Sequence, residues 1–88
     1  MREAKLRDQA AELRAQIERL APQDDAGRTR LNNLLSGIER RLSHPKDGKH
    51  HAKLVTDIRD TIQHFEAEHP QTTSLLNQIM IDVSSMGI

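Results

Sequence analysis

The chain has no cysteine, tryptophan or tyrosine, and a single phenylalanine among its 88 residues. Without cysteine there is no disulfide, no thiolate nucleophile and no sulfur ligand for a structural zinc. One aromatic ring leaves no platform on which the bases of a single-stranded nucleic acid would stack. No apolar run approaches the ~20 residues that a membrane-spanning helix needs. Charge of one sign is also missing: 13 basic and 13 acidic residues cancel, which removes the strongly basic footprint of a nucleic-acid binder. The segment Met1-Arg2-Glu3-Ala4-Lys5 is charged and has no apolar signal core, so a soluble cytoplasmic protein is the expectation.

What is present points to helices. Leu, Ala, Glu, Arg and Gln are abundant, and no stretch alternates apolar and polar residues as a half-buried strand would. A length of 88 residues sets one domain, 1–88, as the expectation. So short a chain, lacking disulfides, commonly gains stability by self-association. The cancelled charge is unevenly placed: residues 1–53 hold 12 basic and 8 acidic side chains, and residues 54–88 hold 1 and 5. An antiparallel arrangement would set the two halves against each other, helping to choose register more than adding stability.

The spacings predict four helices, at about 2–20, 24–43, 51–68 and 70–86. In the first, Leu6, Ala10, Leu13, Ile17 and Leu20 follow a 4, 3, 4, 3 heptad spacing. Ala21-Pro22-Gln23 ends it. Asp24 is the expected N-cap of the second, with Asp25 in its first turn and Arg40 and Arg41 near its negative end. Leu31, Leu34, Leu35, Ile38 and Leu42 form its apolar face, and the short connection makes the first two helices an antiparallel hairpin. Residues 44–50, with Pro45 and Gly48, read as the main loop. Val55, Ile58, Ile62 and Phe65 define the third helix. Pro70 lacks an N–H and pushes His69 out of the helical region, so the third helix stops and a fourth begins there. That last helix holds Leu75, Leu76, Ile79, Met80, Val83 and Met86, with Gly87 as its stop. A gentle break at His69-Pro70 would instead give three helices with a kinked last one.

The C-terminal part, Phe65-Glu66-x-x-His69-Pro70, then Leu76-Asn77-x-Ile79, then Met86-Gly87-Ile88, resembles a family of short bacterial proteins known as domain of unknown function 4404. Thr72-Thr73-Ser74 is more polar than that pattern, and the 43–51 loop is longer. The resemblance implies a small helical bacterial protein and supplies no reaction, cofactor or catalytic residue.

Four constellations invite a functional reading. His44, His50 and His51 share a loop with Lys46 and Lys49; imidazoles bind zinc or nickel, but neighbouring ammonium groups oppose a cation, and a solvated loop is the plainer reading. Glu66 and His69 have the Glu-x-x-His spacing of carboxylate-bridged di-metal bundles, yet that site needs further inward carboxylates, and Glu3, Glu12, Glu18 and Glu39 lie off the apolar stripes. Asp57, Asp60 and His64 share one side of the third helix without a nucleophile motif nearby. Arg28, Arg30, Arg40, Arg41, Lys46, Lys49 and Lys53 form a basic edge within 28–53, the basis of an alternative reading as a nucleic-acid accessory protein.

Taken together, the residues predict an all-α helical bundle of three to four helices with coiled-coil-like packing, homodimeric or tetrameric. The interface candidates are Leu6, Leu13, Ile17, Leu20, Leu31, Leu35, Ile38 and Leu42. The leading function is a non-enzymatic interaction or scaffold protein with an unknown protein partner, no membrane and no cofactor. Neither catalytic nor metal-ligating residues are assigned, and a metal-binding bundle is a remote alternative.

Overall fold

A computed structural model describes residues 2–20 and 23–86. They form α1 (Arg2–Glu18), α2 (Asp25–Ser43), α3 (Gly48–Phe65) and α4 (Pro70–Met86), with no strand among the described residues.

Each helix end has a local cause. α1 stops two residues short of the expected position. Arg19 N–H bonds to Gln16 O at 3.1 Å and Leu20 N–H to Ile17 O at 3.2 Å, the tighter i→i+3 pattern that ends many helices. The Leu20 carbonyl is then taken by Arg28 Nη2 at 3.0 Å. The expected stops at Ala21-Pro22 and Gly87 lie outside the described residues.

α2 opens as the sequence predicts. Asp24 Oδ1 accepts from Gly27 N–H at 3.1 Å, a cap worth about 1 kcal/mol. A Cβ on Gly27 would come within 2.6 Å of that oxygen, so only glycine admits the capping carboxylate so closely.

α3 starts at Gly48 rather than His51. Pro45 and Gly48 read as breakers, but Asp47 Oδ1 accepts from His50 N–H at 3.1 Å, and Asp47 O accepts from His51 N–H at 3.0 Å. Asp47 is an N-cap and Gly48 is already helical. At its other end α3 stops at Phe65, not residue 68: the Phe65 carbonyl accepts from Glu68 N–H at 3.3 Å and His69 N–H at 2.9 Å, turning the chain before Pro70. The break is complete, and α4 begins with Thr73 N–H bonded to His69 O at 2.9 Å.

The helices form a closed ring. Each packs on its neighbours in sequence and α4 packs back on α1, while the diagonal pairs do not meet among the described residues. Cross-helix contacts fix all four as alternately up and down. Arg14 meets Glu39 at 2.6 Å across α1–α2, and His50 reaches Gly37 O at 2.8 Å across α2–α3. Lys5 lies 3.8 Å from Asp82 at one end of α1–α4, and Thr72 Oγ1 donates to Gln16 Oε1 at 2.7 Å near the other. This is an up-down-up-down four-helix bundle.

Its core holds Leu6, Leu13, Leu31, Ile38, Leu54, Ile58, Phe65, Leu76, Ile79 and Val83, all fully buried. The candidate interface stripe falls here too. Leu6, Leu13, Ile17, Leu20, Leu31, Leu35 and Ile38 are buried within one chain, and Leu42 is half-buried against them. In this fold they are covered by the chain's own helices. Heptad spacing shows which face of a helix is apolar; it does not show whose helix covers that face.

Buried polar side chains interrupt the apolar packing, on the α1–α4 seam as well as between α2 and α3. Gln9 and Asp82 are both more than nine-tenths buried. Neither amide atom of Gln9 has a protein hydrogen-bond partner, nor does Asp82 Oδ2.

Candidate functional site

Between α2 and α3 a groove of about 750 Å³ is open to solvent. Asp25, Arg30 and Asn33 line its α2 wall, and Lys53, Asp57, Asp60 and Thr61 its α3 wall. Asp57 and Asp60 therefore share a groove as their spacing suggested. His64 does not join them: it packs edge-on against Phe65, with ring centroids 5.1 Å apart. Inside the groove Lys53 Nζ is 2.9 Å from Asp57 Oδ2. Thr61 Oγ1 donates to its own helix, to Asp57 O at 2.7 Å. A carbonyl acceptor takes no proton, so this bond does not activate the hydroxyl as a nucleophile.

Below the groove, α2 and α3 meet at a corner built from residues that the sequence assigned to a solvated loop or surface. Arg41 is 3% exposed, and its Nε donates to His51 Nδ1 at 3.0 Å. His50 Nε2 lies 2.8 Å from Gly37 O. His50 and His51 are half-buried here, while His44 stays exposed. The loop reading thus holds for His44 and fails for the other two, because Asp47 starts α3 early and turns both rings toward α2.

The same geometry sets the electrostatics. His51 accepts from Arg41, so it is bound as the neutral ring. Burial, then the nearby Arg41 and His50 charges, push its pKa below the ordinary 6.5. Asp47 is held below the usual carboxylate range mainly by the His50 N–H, with Arg40 at 3.4 Å adding to it against partial desolvation. For His51 the unfolded chain binds a proton more readily than the folded one. Its contribution to stability is full above pH 6.5 and is lost as the pH falls through the depressed folded value. Asp47 acts in the same direction further down, below its unfolded value of 3.8. We expect the urea midpoint to fall on acidification below pH 6.5, and to fall less in His51→Gln, which keeps an acceptor that cannot charge. Equal slopes in the two proteins would remove His51 from this account.

The remaining flagged residues disperse. Glu66 is exposed and its backbone N–H caps α3 on Ile62 O. His69 is half-buried, its Nε2 3.4 Å from Asp24 Oδ2 and its ring 5.2 Å from Phe65. It ties the α3–α4 corner to the start of α2. Among the described residues no three His, Asp or Glu are grouped so as to hold a metal ion. Four of the seven basic-edge residues are engaged within the chain: Arg28 with Leu20 O, Arg40 with Asp47, Arg41 with His51 and Lys53 with Asp57. No described helix is long and apolar enough to cross a membrane.

Helix α4 carries a further feature, one of composition rather than of any motif. Its exposed positions are Pro70, Gln71, Ser74, Asn77, Gln78, Ile81, Ser84 and Ser85. Its one ionisable residue, Asp82, is buried. Ile81 is 63% exposed, the one large apolar side chain so placed among the described residues. The signal was available as a gap in charge rather than as a motif.

No curated protein and no solved structure matches the chain. A family model described as "Domain of unknown function (DUF4404)" matches residues 6–88. That span takes in all of α2, α3 and α4 and most of α1, so the four-helix bundle as a whole belongs to the DUF4404 family.

Proposed function

We propose that this chain is a non-enzymatic helical interaction protein that assembles with copies of itself. The observation that carries this reading is the uncharged outer face of α4. At 30% charged residues over the whole chain, a 17-residue helix would carry about five, and α4 exposes none. Depletion of charge marks the core of protein–protein interfaces, since desolvating an unpaired charge is costly. Catalysis has less support. In the groove between α2 and α3, Lys53 pairs with Asp57 and the Thr61 hydroxyl donates to a backbone carbonyl, whereas a reaction needs convergent groups. The nucleic-acid alternative has less support too, because Arg40, Arg41 and Lys53 are engaged within the chain.

Sedimentation equilibrium over about a hundredfold range of concentration tests the proposal, because association stabilises by mass action. We expect a reversible dimer or tetramer whose melting temperature rises with concentration. A monomer throughout, with a constant melting temperature, would overturn it.

A further inference from the structure

Resting on that self-association reading, we infer that the docking surface is the joint exterior of α3 and α4, and that its occupant is a second copy of this chain seated across Ile81.

The contacts already described fix which flank of each helix is covered. On α3, His50 reaches Gly37, and Asp57 lines the groove against α2, so that flank faces α2. Val55 and Ile62, spaced i,i+7, lie more than a third of a turn round from it at 100° per residue. They therefore flank α4. On α4, Asp82 faces Lys5 of α1. Met80 lies about half a turn from Asp82 by the same rule, and so flanks α3. Val55, Ile62 and Met80 are each partly buried against the core. On α4, Asn77 and Ser84 lie between Met80 and Ile81 at 100° per residue. The α3–α4 exterior thus presents the exposed Ile81 among small polar groups, beside an apolar seam packed on the core.

Two considerations select a second copy as the occupant. The first is charge. Where α1, α2 and the groove-facing side of α3 carry charges of both signs, the α4 part of this face presents amides, hydroxyls and apolar groups. Arg59 and Glu66 on its α3 border leave it neutral. Amide and hydroxyl groups both donate and accept, so a neutral face of this kind complements itself across a two-fold axis. With Arg59 and Glu66 of opposite sign, a nucleic acid or a strongly charged peptide would find no net counter-charge on it. The second is area. A helix of 17 residues is about 25 Å long, and two helices about 10 Å apart present a face about 20 Å wide. That is about 500 Å² per copy, or about 1,000 Å² for the pair, at the lower limit for a specific interface. The surface suits a reversible dimer better than a permanent one.

The test is sedimentation of wild type, Ile81→Arg and Ser84→Arg, with Ser36→Arg on the exposed side of α2 as a control. All three positions are exposed, so helicity and the melting temperature of the dilute monomer should match wild type in each. Two arginines meeting near a two-fold axis should raise the dimer dissociation constant at least about a hundredfold in Ile81→Arg. A rise of about tenfold or more is expected in Ser84→Arg, and none in Ser36→Arg. A wild-type dimer that survives both α4 substitutions would overturn this surface and leave self-association standing. A wild-type monomer at every concentration would overturn self-association itself.

Discussion

Leu13→Asp is expected to abolish cooperative folding at every protein concentration. Leu13 is fully buried at the centre of the α1 stripe. Removing such a side chain costs about 2–5 kcal/mol through lost burial and the cavity left behind. A carboxylate in its place must also be desolvated or neutralised. Domains of this length have a total stability of about 4–13 kcal/mol, so the substitution removes most or all of it. Circular dichroism should show the helical signal collapsing, with no recovery on concentrating the protein. The contrast with the α4 surface is the informative part. Were the α1 stripe a seam between chains, Leu13→Asp would yield a folded monomer, and that result would refute the core assignment.

Phe65→Ala should cost about 3–5 kcal/mol, the range for emptying a buried aromatic site. Phe65 is the chain's one aromatic residue and is 1% exposed. It sits where α3 ends, its carbonyl accepting from Glu68 and His69, and its ring packed against His69. Loss of the ring therefore removes core volume and the wall that holds His69 near Asp24 together. For a domain of this size the melting temperature should fall by roughly 20 °C. Phe65→Leu, which keeps most of the volume, should lose much less. A drop of only a few degrees in Phe65→Ala would mean that the corner is held by backbone alone.

The helices were legible because each apolar stripe repeats at helical spacing, and because Asp24 and Pro70 carry start signals that need no tertiary context. α3 shows the limit. Asp47-Gly48 beside Pro45 suits a turn as well as a capped helix, and the choice falls to the helix because His50 and His51 gain partners on α2. Arg41 illustrates the same point. Near a helix C-terminus a solvated cation is the natural expectation, but position 41 lies on the flank that α3 covers, so its guanidinium is buried against His51. Gln9 and Asp82 look like surface residues in the sequence, and only the closing of α4 on α1 buries them. Spacing along one helix reveals its apolar face. Which polar residues are trapped between helices depends on a register that the spacing does not contain. The α4 face was legible in principle as seventeen residues with one ionisable group, a property of composition that motif reading overlooks.

The ring closure also orders events in time. Three of its four seams join helices consecutive in the chain, and only α1–α4 brings together segments far apart in sequence. Contacts between consecutive helices close short loops and form quickly, whereas the last seam carries the largest loop-closure cost. It is also the seam holding Gln9 and Asp82, whose buried polar atoms add little cohesion. Transient opening of the native bundle should therefore begin between α1 and α4, with the α2–α3 hairpin still closed, and backbone amides of the outer pair should exchange with solvent ahead of those in the hairpin.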